Sequence, residues 1–193
     1  SPETCKWYGV EGCLSLYFPL ASDSNIFSSN ANKDRDIDIL FIGNRYGVRS
    51  EIILYLEKRN IKVNCYGSGW DNGSVNTEEM ARLSNQAKII LGIGAIGHCH
   101  DVYTLKLRDF DALMTGALYI THRNYDLCNL YEEGKEVEYY DSFDELYRKL
   151  AYYLAHSSER EVIGEMGRKK ALSRDTWEKR INTLFQDLNL MNH

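Results

Sequence analysis

The sequence has no long apolar run, no leader pattern and no excess of basic residues. None of its 193 residues lies in a stretch approaching the roughly 20 consecutive apolar residues of a membrane span. Its start lacks the features of a signal peptide. The 28 acidic residues outnumber the 23 basic ones, so the net charge is −5 and no overall positive field exists to hold nucleic acid. We therefore expect neither a membrane span nor a nucleic-acid partner.

Cysteines are scattered, and no two of them form a Cys-x-x-Cys pair. The five are Cys5, Cys13, Cys65, Cys99 and Cys128. An odd, dispersed set argues against a disulfide framework and against a zinc knuckle. Such a set is typical of a reducing compartment, so we expect a cytoplasmic location.

The run His98-Cys99-His100 combines residue types that bind metals. Adjacent residues of an extended segment point to opposite sides, so the three side chains do not converge on one ion. We therefore interpret the run as a polar loop and expect no metal site.

The first 36 residues are polar and irregular except for an apolar run at Leu14–Ala21. Ser22–Asp34 is rich in Ser, Asn and Asp, as a linker is. We expect residues 1–36 to be an N-terminal extension and linker, and residues 37–193 to be one folded domain. The chain begins with Ser1 rather than Met, and we expect further residues upstream.

From Ile37 onward, strand and helix patterns alternate. Ile37–Gly43 is a nearly continuous apolar run, which predicts a buried parallel strand. Further strands are predicted at Ile61–Gly67, Ala87–Gly94, Ala117–Thr121 and Lys135–Tyr140. Helices are predicted at Arg49–Asn60, from Thr77 onward, and at Leu105–Gly116, Asp126–Glu132, Ser142–Ala155, Ser158–Ser173 and Thr176–Leu190. Repeated β-α-β units predict an α/β, Rossmann-like fold, a parallel sheet with helices on both faces.

Several residues are expected to cap these helices. Thr77 can cap the helix that follows it, and Gly116 can close the helix before it. Two capping boxes are predicted, one at Ser142 with Glu145 and one at Ser158 with Glu161.

The loop after the first strand, Gly43–Arg49, is a candidate phosphate site. Parallel sheets of this type bind ligands at the carboxyl ends of their strands. Gly43 lets the backbone turn sharply and approach a ligand. Arg45 and Arg49 lie where a diphosphate would meet the start of the next helix. The alternative is that both are solvated arginines.

The loop after the third strand contains Gly-Ile-Gly-Ala-Ile-Gly, Gly92–Gly97. These letters match the dinucleotide fingerprint, but that fingerprint opens a helix at once, and helical spacing resumes here only near Thr104. We interpret the run as a flexible loop whose backbone, including Gly94, approaches a phosphate or sugar.

Downstream of that loop, four residues surround the predicted start of the next helix. Thr104 can cap it, while Lys106 and Arg108 add positive charge beside its free N–H groups. Asp111 lies three positions after Arg108 and can accept hydrogen bonds from two ribose hydroxyls. The alternative is an Arg108–Asp111 surface pair, which contributes little.

Other candidates are histidines and aromatic residues in or near the same loops. His98, His100 and His122 are candidates for sugar hydroxyl contacts, or are structural donors. Trp70 and Tyr46 can stack on a base or pack within the protein.

Taken in order, several segments resemble the carboxyl-terminal domain of the CgeB-like, group 1 glycosyltransferases of the GT-B fold. The resemblance extends from about Leu16 to Leu184. The segments are Phe18–Asp23, Asp38–Asn44, Asn64–Trp70, Ala87–Ile93, Leu107–Thr121, Asn129–Leu146 and Tyr152–Leu172.

The resemblance implies a domain that binds a nucleotide-sugar donor, without a cofactor, opposite an N-terminal acceptor-binding domain that this chain lacks. It implies donor contacts from Gly43, Asn44, Arg45, Gly94, His98, Thr104, Lys106, Arg108 and Asp111. Family members with a retaining mechanism have two acids that frame the sugar and the ribose. The second corresponds to Asp111, but the first falls on Tyr103, which departs from the pattern.

Three alternatives remain open. The missing first acid is compatible with a binding module that has lost catalysis. Gly92–Gly97 on its own suggests a dinucleotide-dependent oxidoreductase. A flavodoxin-like or receiver-like signalling domain has the same pattern of elements, but no acidic cluster follows the first strand.

Overall fold

The computed structural model describes residues 2–28, 34–99 and 102–188. Five strands alternate with helices along the chain, and the last three elements are helices. In chain order they are α1 (Pro2–Val10), β1 (Ile37–Ile42), α2 (Val48–Glu57), β2 (Asn64–Tyr66), α3 (Thr77–Gln86), β3 (Ala87–Leu91), α4 (Leu107–Met114), β4 (Leu118–His122), α5 (Tyr125–Cys128), β5 (Glu138–Tyr140), α6 (Phe143–Ala155), α7 (Ser157–Arg174) and α8 (Trp177–Asp187).

The five strands form one parallel sheet in the order β2-β1-β3-β4-β5. The predicted α/β, Rossmann-like class is therefore confirmed. The strand order reverses between β1 and β3, because β2 lies on one side of β1 and the later strands lie on the other. Such a reversal opens a crevice at the carboxyl ends of the two central strands.

Alternating side chains of the strands fill two separate cores. On one face, Ile39 and Phe41 of β1 pack with apolar residues of α2 and α6. On the other face, Leu40 packs with apolar residues of α3 and α4. Both faces are covered, which explains why β1 is nearly continuously apolar.

Helix starts agree with the sequence pattern in some places and differ in others. Ser142 and Thr176 cap α6 and α8, each accepting a backbone N–H with its hydroxyl. The start of α3 was predicted wrongly, because the Asn76 side chain caps it and Thr77 is its first residue. The box predicted at Ser158 is also wrong, because Ser158 lies inside α7, one residue after its start.

Residues before β1 contribute to the fold more than their polar composition indicates. Helix α1 lies in a segment predicted to be irregular, although none of its residues is buried. Ala21 and Ser22 are fully buried, and Phe27 packs into the core on the α3 and α4 face. The segment around Ser22 is therefore held against the folded domain. No helix in the described ranges has the length and apolar character needed to cross a bilayer.

Candidate functional site

The reversal in strand order brings the loops after β1 and β3 into direct contact. The backbone N–H of Val48 donates to the carbonyl oxygen of Gly97 at 3.4 Å. Gly47 has a φ of +52°, and a Cβ atom there would lie 1.9 Å from the same oxygen. Gly47 therefore has to be a glycine, both for its backbone conformation and for this close approach.

The glycine-rich loop after β3 is not a dinucleotide fingerprint. The loop folds back on itself, with Ala95 bridged to Tyr103 in antiparallel fashion, and α4 begins only at Leu107. Gly92 is required for packing, because a Cβ atom there would lie 2.2 Å from the Tyr119 hydroxyl. No helix opens directly after these glycines, so the oxidoreductase alternative loses the observation on which it depended.

Two guanidinium groups meet above Gly43, where β1 ends. A Cβ atom on Gly43 would lie 3.1 Å from Nη2 of Arg108 and 3.3 Å from Nη1 of Arg49. Both cations also lie over the ring of Phe41, at 4.9 Å for Arg108 and 5.7 Å for Arg49. The missing side chain of Gly43 therefore leaves the space in which the two arginines converge.

Part of each guanidinium group has no partner. Arg49 is buried, and its Nη1 donates to the carbonyl oxygen of Asn44 at 2.9 Å. Among the described buried side-chain atoms, Nε of Arg49 and Nη1 of Arg108 make no hydrogen bond. An unsatisfied buried donor costs about 1–3 kcal/mol, and more when it is charged. An anion placed between the two arginines would remove that cost.

The pKa values of the cations reflect their crowding. Burial lowers the pKa of Arg49, and the nearby positive charge of Arg108 lowers it further. Burial and the charge of Arg49 also lower the pKa of Lys106, against the opposing effect of Asp109. Arg49, Lys106 and Arg108, called here the cation cluster, therefore share one positive field.

The two arginines occupy equivalent places in two helices. Arg49 is the second residue of α2, and Arg108 is the second residue of α4. Positive charge at a helix N-terminus is unfavourable, because the free N–H groups there already carry partial positive charge. Two such arginines side by side favour an anion, which both helix ends and both side chains would bind.

The start of α4 is fixed by an acid that the sequence pattern did not single out. Thr104 does not cap this helix as predicted, because Lys106 is its N-cap residue. Asp109 accepts the backbone N–H of Lys106 at 2.7 Å and the Tyr119 hydroxyl at 2.5 Å. Gly116 follows the end of the helix with a φ of +72°, as expected for a closing glycine.

Asp111 faces a different neighbour from the expected one. Its Oδ1 accepts the hydroxyl of Ser22 at 2.7 Å, and both residues are buried. Burial raises the pKa of Asp111 to about 6, while Ser22 and Arg108 act against that rise. Among the ion pairs of the described residues, no Arg108–Asp111 pair occurs.

Arg45 and Asn44 lie outside the cation cluster. The guanidinium group of Arg45 lies 5.1 Å from the ring centre of Trp70. Arg45 and Trp70 line a cavity of about 520 Å³ between α2 and β2. Asn44 is exposed, and its side-chain oxygen accepts the backbone N–H of Ser68 at 3.1 Å. Trp70 donates to the carbonyl oxygen of Gly43 at 2.7 Å and so packs against the loop.

The remaining predicted residues are spread around the loop after β3. Gly94 is buried, and its carbonyl oxygen accepts the backbone N–H of Thr104 at 3.3 Å. His98 is exposed, whereas His122 is buried, its Nδ1 lying 3.0 Å from the Tyr140 hydroxyl. His100 lies outside the described residues. Where the chain is described, no three His, Cys, Asp or Glu side chains are grouped to hold a metal ion.

Residues 49–186, more than half of the chain, match the family model described as glycosyl transferase-like. The match includes the whole cation cluster, all of α4, and all of α2 except its first residue, Val48. No curated protein sequence matches the chain.

Solved structures of similar fold cover nearly the whole chain. The sucrose-phosphate synthase of Thermosynechococcus elongatus has a TM-score of 0.71 at 14% identity, over 97% of this chain and 57% of that one. Anabaena HepE in complex with UDP-glucose has a TM-score of 0.73 at 10% identity, over 92% and 58%. The C-terminal domain of the group 1 glycosyl transferase LpcC from Francisella tularensis has a TM-score of 0.59 at 13% identity, over 81% and 99%.

These matches bear on both the fold and the extent of the chain. The fold is that of the Rossmann-like C-terminal domains of GT-B glycosyltransferases. The chain spans less than two thirds of the length of the first two structures, but nearly all of the separate LpcC domain.

Proposed function

Because the chain belongs to the glycosyl transferase-like family, we propose that it is the donor-binding domain of a glycosyltransferase. It binds a nucleotide sugar through the diphosphate, which lies in the crevice between the ends of β1 and β3. The observation that carries this proposal is the cation cluster, in which Arg49 and Arg108 have unpartnered buried N–H groups beside Gly43. A diphosphate supplies the negative charge and the acceptor oxygens that these groups lack.

The same arrangement suits the chemistry of sugar transfer. The bond between the sugar and the diphosphate breaks during the reaction, and negative charge grows on the departing diphosphate. Fixed cations and helix N–H groups stabilise that charge without having to reorganise. Arg49, Arg108 and the starts of α2 and α4 would therefore contribute to catalysis as well as to binding.

Asp111 is the candidate contact for the ribose of the donor. It lies one turn into α4, near the cation cluster, and a carboxylate accepts hydrogen bonds from vicinal hydroxyls. Its two oxygens are not equivalent, because Oδ1 already accepts the hydroxyl of Ser22.

We also propose that an acceptor-binding domain completes the enzyme. Two of the structures that resemble this chain are longer, because the chain covers only 57% and 58% of them. Large apolar side chains of the first 20 residues are exposed, among them Trp7 (68%) and Leu14 (88%). A second domain lying against this segment would bury them.

A binding test follows directly from the two guanidinium nitrogens that lack a partner in the described residues, Nε of Arg49 and Nη1 of Arg108. Calorimetry with UDP and GDP should show that Arg49→Ala and Arg108→Ala each weaken binding about 10-fold or more, since hydrogen bonds to charged groups contribute about 1.5–3 kcal/mol. Arg148→Ala is the matched control, because Arg148 lies on α6, away from the cation cluster. Binding that is equally tight in all four proteins would show that the site lies elsewhere.

A nucleotide-binding module without transfer activity is the second candidate. It is favoured by Tyr103, which occupies the position of the first family acid and stacks on His122 with ring centres 4.8 Å apart. The two candidates differ in one measurement on the chain joined to its acceptor domain. Release of free nucleoside diphosphate from a nucleotide sugar indicates a transferase, whereas tight binding without turnover indicates the module.

A further inference from the structure

The structure assigns to Ser22 the role of a positioning residue for the donor site, holding the Asp111 carboxylate so that one oxygen remains for the ribose. This inference rests on the proposed function and extends it to a segment that precedes the sheet. Ser22 lies before β1 and outside the residues that match the family model.

The contact is a buried side-chain pair between distant parts of the chain. Ser22 Oγ and Asp111 Oδ1 are 2.7 Å apart and 89 positions apart in sequence. Ser22 has no exposed surface, and Asp111 is 5% exposed. Within the described residues, the Ser22 hydroxyl is the only group that donates a hydrogen bond to Asp111. Its removal would leave the carboxylate without a fixed orientation.

The backbone of Ser22 is itself held on both sides. Its N–H donates to the carbonyl oxygen of Asp175 at 3.0 Å, and its carbonyl oxygen accepts the N–H of Trp177 at 3.2 Å. These bonds join the segment to the junction between α7 and α8. The hydroxyl is therefore presented to Asp111 by a fixed main chain rather than by a loose loop.

The chemistry of the pair favours a ligand-related role over simple packing. A buried carboxylate is costly to keep ionised, and a hydroxyl that donates to it stabilises the charged form. A serine donates only one proton, so it satisfies one lone pair and leaves the carboxylate able to accept further donors. A ribose offers two adjacent hydroxyls of the required type.

The test compares ligands that differ only in the ribose hydroxyls. Calorimetry on the 193-residue chain uses UDP and 2′,3′-dideoxy-UDP, or the guanosine pair if GDP binds more tightly. The wild type should prefer the nucleotide with hydroxyls by about 10-fold or more. Ser22→Ala should reduce that preference to about 2-fold while leaving the affinity for the dideoxy compound unchanged. Ser22→Thr, which keeps the hydroxyl, should retain the preference.

Controls separate this inference from the proposed function. Ser84→Ala removes another buried serine hydroxyl, from α3, and should keep the wild-type preference. If Arg108→Ala weakens binding but Ser22→Ala keeps the full preference, Ser22 is not a positioning residue and the proposed function stands. If neither nucleotide binds the wild type, both proposals are wrong.

A measurement without substitution covers the case in which Ser22→Ala does not fold. Hydrogen exchange of the Ser22 and Trp177 amides should slow about 10-fold with saturating UDP, and should not change with saturating dideoxy-UDP. This difference is expected because ribose contacts on Asp111 tighten the hydrogen-bonded chain that includes both amides. Equal exchange with the two nucleotides would overturn the inference.

Discussion

At the scale of single residues, the site depends on charged groups that the protein only partly neutralises. Arg49 and Arg108 retain unpartnered N–H groups beside Gly43. Asp111 is buried, and among the described residues the Ser22 hydroxyl is its one side-chain donor. Such groups cost stability in the free protein and become favourable when a ligand satisfies them.

The raised pKa of Asp111 leads to a prediction about pH. The carboxyl group of Asp111 has a pKa of about 6 in the folded chain, whereas the usual pKa in an unfolded chain is near 4. As the pH rises through this range, the unfolded state loses the proton first, so the free energy of unfolding falls. Burial is the largest cause, Asp109 adds to it, and Ser22 and Arg108 oppose it. Asp111→Asn is neutral at every pH, so its stability relative to wild type should rise by roughly 2–3 kcal/mol from pH 4 to pH 7.5.

Urea unfolding of both proteins at the two pH values measures this difference. Taking the difference between variant and wild type cancels the titration of groups that do not interact with Asp111. If the free energies of unfolding of the two proteins differ by the same amount at pH 4 and pH 7.5, folding does not raise the pKa of Asp111.

At the scale of elements, α7 packs closely against the backbone of other segments at two of its glycines. A Cβ atom on Gly164 would lie 2.4 Å from the carbonyl oxygen of Gly116, in the turn between α4 and β4. Gly167, one turn along, would place its Cβ atom 2.3 Å from the carbonyl oxygen of Glu136. These two glycines let α7 lie directly against main chain.

Gly164→Ala should therefore destabilise the fold by about 1–3 kcal/mol, because neither α7 nor the turn can move without losing other contacts. Gly9→Ala in α1 is the matched control, since no atom lies within 4 Å of its added Cβ. The control should be neutral or slightly stabilising, because alanine favours helix. Thermal or urea unfolding of the two variants compares them, and a neutral Gly164→Ala would contradict the close packing.

The sequence predicted the elements better than the contacts between them. The apolar run at Ile37–Gly43 depends only on burial, so the strand could be recognised without knowing its neighbours. The loop at Gly92–Gly97 could be located but not explained. Gly92 lies against Tyr119, and the carbonyl oxygen of Gly97 lies against Gly47, and both partners are distant in sequence. The residue that caps a helix depends on backbone angles, which the spacing of apolar residues does not reveal. For this reason Thr77 was predicted to cap α3, whereas the cap is Asn76.

The structure brings together the predicted site residues that lie at the starts of helices. Lys106 and Arg108 lie near Arg49, whereas the loop position of Arg49 predicts a shared site with Arg45. Arg45 instead stacks on Trp70. This contact could not be predicted, because a position in a loop does not indicate where the side chain points. The role of Ser22 could not be predicted from the sequence, since its buried partner is 89 positions away.

At the scale of the whole molecule, the segment before β1 belongs to the folded unit in part. Ala21, Ser22 and Phe27 are buried, whereas none of the residues of α1 is. We therefore propose that the folded unit begins between these two groups, before the boundary predicted at Ile37.

Two truncations test this division. Removal of residues 1–16 should leave the melting temperature nearly unchanged, because α1 contributes no buried side chain. Removal of residues 1–36 should lower it by several degrees or more, since burying a side chain such as Phe27 contributes about 1.5–3 kcal/mol. Equal melting temperatures for the two truncated chains would show that Ser22 and its neighbours are dispensable for the fold.

The contact between Gly47 and Gly97 has a consequence for the energetics of binding. It joins main chain to main chain, so no rotamer change at either position can loosen it. The loops on the two sides of the crevice are therefore already in contact in the free protein. For the proposed donor, a loop contact that already exists in the free protein leaves less conformational entropy to lose on association, so more of the attraction between the cations and a diphosphate would be expressed as affinity.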